Sequence, residues 1–261
     1  MTNESMVKSL GRALQILDFL HTRKTGCGVT EISKELGLNK TSVYRMLSTF
    51  VQYGYVEQDT ETERYKLGYK VLELGSALLD SIDLRTEAKP FLKELEQLTN
   101  EVVHLVVYDS GEVVYIEKLE GNETLRMHSK VGTRAPMHCT SVGKAILAHL
   151  PANEVEKALD DYHFVPHTIH SITDKETLFK HLEEVREKGY ALDLEENELG
   201  INCIAVPIFD HTGRVVAAFS ISGAKMRMTE ERLNDLKNKV MSVGEEISKR
   251  LGFNGKITYS L

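Results

Sequence analysis

The chain has 261 residues, enough for two domains that each bury a core, and its 41% hydrophobic and 27% charged residues are ordinary for a globular protein. No apolar run approaches the ~20 residues of a membrane span, so no membrane-spanning helix is expected, and the opening MTNESMVKSLGRAL lacks the apolar core of a signal peptide, so a cytoplasmic location is expected. The formal net charge of -7 argues against generic polyanion binding, yet residues 1–70 hold 10 Lys/Arg against 8 Asp/Glu while the remainder holds 22 against 31. Only the N-terminal part is suited to meeting phosphate. Cys27, Cys139 and Cys203 are an odd, widely spaced set, so no disulfide framework is expected.

Leu10, Ala13, Leu14, Leu17 and Leu20 recur at helical spacing and predict a first helix over residues 6–22 with one buried stripe. The stretch VTEISKELGLNKTSVYRMLSTFVQYGYV, Val29 to Val56, then reads as two short helices with a tight turn. Thr30 is the expected cap of the first, Ile32 and Leu36 its apolar side, and Gly37 its left-handed terminus. Asn39 is the expected cap of the second. There Val43, Leu47 and Phe50 or Val51 share one face, and Lys40, Thr41, Ser42, Tyr44, Arg45, Ser48 and Gln52 the other. Leu38 to Gln52 contains no acidic residue in an acidic chain. A short helix, a turn and a second helix with a polar, cationic outer face suit the major groove of double-stranded DNA. The competing reading is an ordinary surface helical hairpin.

Tyr55-Val56 and Tyr65-Lys66-Leu67 flank EQDTETER, a small hairpin that makes the unit a winged helix-turn-helix. Glu57, Asp59, Glu61 and Glu63 give the wing a tip that repels phosphate, so any DNA contact is expected from its second strand, with Arg64 and Lys66. From Gly68 a further helix carries Val71, Leu74, Leu78 and Ile82 at spacings of three and four. It either packs on its own domain or pairs with its twin, placing two reading heads on half-sites about 34 Å apart.

From Leu84 the character changes. Leu84, Ala88, Phe91, Leu92, Leu95 and Leu98 mark an amphipathic helix. Val102–Tyr108 and Val113–Leu119 are strands joined by Asp109-Ser110-Gly111, and Thr124–Lys130 is another expected strand. A loop feeds a helix from about Ser141, and Glu154–Leu159 and Lys175–Lys188 are further helices. Gly189–Glu195, Ile201–Phe209 and Val215–Ser222 are strands, the last two joined by Asp210-His211-Thr212-Gly213. Thr229 caps a final helix to about Leu251. Hairpins with helices grouped between them predict an α+β, sensor-like domain.

Five segments in this order, SLGRALQILDFL, TEISKELGLNKTSVYRMLSTFVQYGYV, YKLGYKVLELG, MHCTSVGKAILA and GINCIAVPIFDHTGRVVAAFSISG, resemble the IclR family of bacterial transcriptional regulators over nearly the whole chain. The resemblance implies a winged helix-turn-helix domain over 1–67, a linker and dimerisation helix over 68–83, and an effector-binding domain over 84–261. The last would have a GAF-like or profilin-like curved antiparallel sheet that binds a small carboxylic acid. It also implies a homodimer or homotetramer, repression as the commoner mode, and neither a catalytic role nor a cofactor.

The family's effector pocket maps onto Ser141, Val142, Asp193, Cys203, Ser220 and Ser222. The chemistry is coherent. Amides at a helix start hold a carboxylate. Two serines two apart on a strand face the same way. Asp193 would accept from a ligand hydroxyl or hydrated carbonyl, and Cys203 lines a wall without competing for hydrogen bonds. Met127, Met137 and Ile204 are candidates for the rest of the wall. On the DNA side Thr41, Ser42 and Arg45 are expected to reach base edges or phosphates, with Lys40 on phosphate and Tyr44 beside them.

Other chemistry competes for the same residues. His138-Cys139, His167, His170, Asp193 and Cys203 are potential zinc ligands, although their spacings match no closed structural site. A hydrolase using Cys139 or Cys203 with a histidine lacks any nucleophile elbow, phosphate loop or dinucleotide fingerprint. A ligand sensor acting through protein partners, its N-terminal domain serving for dimerisation, is the alternative from another class.

Overall fold

The computed structural model describes residues 7–23, 25–81, 83–121 and 129–255, and the chain divides into two compact units, Met1–Ile82 and Asp83–Leu261. The strand expected over Thr124–Lys130, with Met127, falls largely outside the described residues, as does Ile82.

The first unit runs α1 (Lys8–His21), α2 (Val29–Leu36), α3 (Lys40–Gln52), β1 (Val56–Gln58), β2 (Tyr65–Leu67) and α4 (Tyr69–Ser81). Its core is Ile16, Leu20, Cys27, Ile32, Val43, Leu47, Val56 and Tyr65. Gly37 ends α2 in the left-handed region, at φ 64°, and the Asn39 side chain caps α3 by accepting from the Thr41 amide at 2.9 Å. β1 and β2 pair antiparallel as the wing. Cys27 exchanges backbone hydrogen bonds with Tyr65, which ties the loop before α2 to the wing.

Two details depart from expectation, and the choice between Phe50 and Val51 is resolved. The buried stripe of α1 passes through Ile16 and Leu20, and Leu10 and Leu14 are exposed. Apolar residues occur on two adjacent stripes of this helix, and periodicity does not say which one packs. Thr30 is not the cap of α2: Gly28 precedes the helix in extended conformation, and Thr30 is exposed in the first turn. Val51 is exposed, leaving Phe50 to pack.

The second unit holds α5 (Leu84–Thr99), β3 (Val102–Asp109), β4 (Glu112–Leu119), β5 (Arg134–Pro136), α6 (Ser141–Leu147), α7 (Ala152–Ala158), α8 (Lys175–Lys188), β6 (Ala191–Leu194), β7 (Ile201–Phe209), β8 (Val215–Ala224) and α9 (Glu230–Arg250). The strands form one antiparallel sheet in the order β5-β4-β3-β8-β7-β6. Register shifts at Leu105/Val106 and Ile208/Phe209 are bulges of the kind that bend a sheet. The β3–β4 turn is Ser110-Gly111, both with positive φ, as a two-residue hairpin requires. Every residue of β7 is buried, which explains its apolar run from Cys203 to Phe209, while the buried Asn202 donates to the Met228 carbonyl at 2.9 Å. Pro207 is tolerated there because β6 pairs only with 202–205, so its missing N–H faces no partner strand.

Asp83, Thr140, Asp174 and Thr229 cap α5, α6, α8 and α9 with their side chains. α5 and α9 pack on one face of the sheet, and α6, backed by α8, on the other. In α5 the buried positions are Ala88, Leu92, Leu95 and Thr99, and Leu98 is exposed. The α+β class expected from the sequence is the observed one. β5 was not expected: three residues ending in proline give no periodicity to read.

Candidate functional site

A cavity of about 280 Å³ opens between the α6 face of the sheet and the loop that follows β6. Its wall includes Ser141, Val142, Asp193, Cys203, Ser220 and Ser222, the six positions singled out from the sequence. The sheet register explains the convergence. Asp193 on β6 pairs with Cys203 on β7, and Cys203 pairs with Ser222 on β8. One cross-strand row therefore delivers a carboxyl, a thiol and a hydroxyl to one face. Ser220 lies two residues along β8 on the same face, its Oγ 3.3 Å from that of Ser222.

Ser141 and Val142 open α6. Thr140 Oγ1 accepts from the Gly143 amide at 3.1 Å, leaving the two preceding amides at the cavity. Gly143 is required here, since a Cβ would sit 2.5 Å from the Met137 backbone.

Asp193 is 4% exposed, and its Oδ1 accepts from the amides of Glu196 at 2.8 Å and Asn197 at 3.3 Å. Burial, aided by the neighbouring Glu196, pushes its carboxyl up to about 7. Glu196 in turn accepts from the buried Lys144 of α6 at 2.5 Å. Burial, with Asp193 beside it, holds the Cys203 thiol well above its usual value, and Cys139 is pushed up to about 12 by the same causes. Both are protonated thiols at neutral pH, which disfavours a thiolate nucleophile.

His104, Tyr115, Thr140, His167 and Asn197 also line the cavity, and the sequence reading missed them in this role. His104 sits in a valine-rich strand and reads as an interruption until its register opposite Ser220 is known. Met137 and Ile204 are not in the wall. Met137 is fully buried in the core beneath α6, and Ile204 alternates with Cys203 and points to the opposite sheet face. Among the described residues, no group of three or more His, Cys, Asp or Glu is placed to hold a metal ion. His138 is bound to the Tyr162 hydroxyl at 2.8 Å and to the Val165 carbonyl at 3.2 Å.

In the first unit, α3 exposes Lys40, Thr41, Tyr44 and Arg45, while Ser42 is half-buried. On the wing, Arg64 is partly exposed, with Nη2 donating to the Gly26 carbonyl at 2.7 Å and to Glu31 at 3.3 Å. It is therefore committed to the fold. Lys66 lies 3.5 Å from Glu57.

A helix-turn-helix unit with a wing, followed by an α+β unit that carries a cavity, is the architecture of a DNA-binding regulator with a separate effector domain. Residues 9–60 match the IclR helix-turn-helix domain, and residues 76–249 match the bacterial transcriptional regulator IclR C-terminal domain. The chain belongs to the IclR family of bacterial transcriptional regulators. It is 38% identical over 248 residues to the HTH-type transcriptional regulator XynR of Escherichia coli K12, covering 95% of this chain and 98% of that one. It is 34% identical over 245 residues to the HTH-type transcriptional repressor AllR of the same strain, covering 94% and 90%. The crystal structure of the Agobacterium tumefaciens repressor BlcR shares its fold, with a TM-score of 0.86 at 24% identity over 97% of this chain and 100% of that one.

Proposed function

We propose that this regulator is a repressor whose operator binding is controlled by a small organic acid held in the α6 cavity. The single observation that supports it most is the convergence of Ser141, Val142, Asp193, Cys203, Ser220 and Ser222 on one cavity. A carboxylate would take the amides of Ser141 and Val142, and a second oxygen group would meet Asp193 and the two serines. Cys203 would fill the wall between them. Repression is supported by the name of the relative AllR.

On the DNA side, Thr41 and Arg45 would reach base edges, Ser42 and Tyr44 would flank them, and Lys40 would contact phosphate. The reading takes residues 1–67 as the DNA-binding domain, 68–83 as the linker and 84–261 as the effector domain. α4 would pass the ligand's influence to the reading head in a homodimer or homotetramer. The effect is bounded by the ligand's differential affinity for the two states. The protein would act in the cytoplasm, where its DNA lies, without catalysis and without a cofactor. No helix among the described residues is long and apolar enough to cross a membrane.

The test is Asp193→Ala in the full-length protein, read by operator affinity and by its response to organic acids. Loss of the response with DNA affinity retained is expected. Equal loss of both would sink the division of labour between the units.

A further inference from the structure

Tyr115 and Glu117 are two residues apart on β4, a spacing that puts side chains on one face of a regular strand. Here they point to opposite faces. Tyr115 pairs with Val106 and Glu117 with Leu105, so Ile116 is the extra residue of the bulge and inverts the alternation. Tyr115 therefore stands in the cavity wall beside His104, the two rings 5.0 Å apart. Glu117, 6% exposed, stands on the other face, under α5.

Glu117 Oε2 accepts from Arg85 Nε at 2.9 Å and from Lys89 Nζ at 3.2 Å. Arg85 and Lys89 lie one turn apart at the start of α5. Burial raises the Glu117 carboxyl, but the two cations outweigh it and hold the group below its usual value, so the clamp is ionised at neutral pH.

The clamped turn is well placed to pass on a movement. α4 ends at Ser81, three residues before α5 begins at Leu84. Pro90, inside α5, has no amide to offer the Thr86 carbonyl. The first turn is thus joined to the rest of its helix by one hydrogen bond fewer, and helices bend at such a point. At the other end of the clamp, Ile116 has no partner on β3, so β4 yields there more readily than at its paired positions.

We propose that Glu117 is a positioning residue for signal transfer, tying the first turn of α5 to the bulge behind Tyr115, so that a ligand displacing Tyr115 re-aims that turn and the chain leading into α4. This rests on the cavity being the effector site. The transfer is bounded by the ligand's differential affinity for the two positions of the turn.

The test compares full-length wild type, Glu117→Gln and Arg85→Met. Glyoxylate, pyruvate, 2-oxoglutarate and succinate are the probes. Calorimetry reads acid binding, and anisotropy of a duplex from upstream of this protein's own gene reads DNA binding with and without each acid. At least one acid is expected to weaken wild-type DNA binding by about tenfold. In Glu117→Gln the Kd for that acid and the Kd for acid-free DNA binding are each expected within about threefold of wild type, while the acid's effect on DNA falls below about threefold. Arg85→Met, which leaves Lys89 on Glu117, is expected to fall between the two. A clamp that only anchors α5 would lower the melting temperature and leave the acid's effect on DNA at its wild-type size, which overturns the proposal. Loss of acid binding in Glu117→Gln would make Glu117 a support of the cavity wall and overturns it too. If an acid binds the wild type and none changes its DNA affinity, the transfer does not exist. Binding of none of the four acids overturns the proposal together with the organic-acid reading of the cavity. If Glu117→Gln does not fold, Arg85→Met decides, since Arg85 is exposed on α5, and a response of wild-type size there overturns the proposal.

Discussion

Lys144 Nζ lies 2.5 Å from Glu196 Oε1, and both side chains are almost completely buried. The pair joins α6, which brings Ser141 and Val142 to the cavity, to the loop whose Glu196 and Asn197 amides hold Asp193. Lys144→Met leaves Glu196 as an unpaired buried carboxylate, with its Oε2 already lacking a protein partner. The expected cost is about 3–5 kcal/mol, measured by urea unfolding of the full chain. The double variant Lys144→Met/Glu196→Gln is expected to recover much of it. A loss below about 1 kcal/mol in the single variant would show that water reaches the pair.

Asp193 gives the second unit a pH signature. Its carboxyl is raised to about 7 by burial, with Glu196 adding to the effect. The protonated form is the one the fold prefers. The stability it contributes is complete below the unfolded value near 3.8 and is lost as pH rises through about 7. Asp193→Asn removes this titration and keeps an acceptor for the two amides. The variant is therefore expected to gain on the wild type by about 2–4 kcal/mol between pH 4 and pH 8, in paired denaturation curves. A constant difference across that range would mean that Asp193 is not raised.

Gly143 has no room for a side chain, because an added Cβ would approach the Met137 Cα and carbonyl oxygen at 2.5 Å. Both are backbone atoms and cannot swing aside. Gly143→Ala is expected to lower stability by about 1–3 kcal/mol, as overpacking does, and to displace the start of α6. Thermal unfolding reads the first effect, and loss of ligand response at temperatures where the variant is folded reads the second.

Arg45 and Lys40 are both exposed on α3 but are expected to fail differently. Arg45→Ala is expected to cost about 1–3 kcal/mol on the operator and to relax preference at one base pair. Lys40→Ala is expected to weaken all duplexes alike and to reduce the salt slope by about one. Competition against single-base operator variants at several salt concentrations separates the two. Uniform weakening by Arg45→Ala would assign it to phosphate instead.

How far the chain could be read from its letters depended on how local each signal was. Gly37 and Asn39 mark their helix ends because a left-handed cap and an Asx cap are single-residue properties. Lys175–Lys188 is legible for the same reason, with Asp174 and Gly189 at its two ends. The stripe of α1 was misread because Leu10 and Leu14 fit the helical period as well as Ile16 does. Which stripe packs is settled by α2, α3 and the wing, not by α1. Ser220 and Ser222 could be placed on one face from their spacing alone. That they face His104 depends on β3 pairing with β8, more than a hundred residues apart in sequence, and no local pattern encodes that register. The same holds for Met137, whose neighbour Thr140 turns toward the cavity while Met137 turns into the core.

The measurement that bears most directly on the central claim is the anisotropy of a labelled duplex from upstream of this protein's own gene. It is titrated with the full-length protein at several salt concentrations, with and without each of a panel of small organic acids. Tight, salt-sensitive binding that one acid weakens at least tenfold, about 1.4 kcal/mol, is the predicted result. Tight and specific binding that no acid alters, together with calorimetry showing an acid bound in the cavity, would contradict the account, because the ligand would then occupy its site without reaching the DNA.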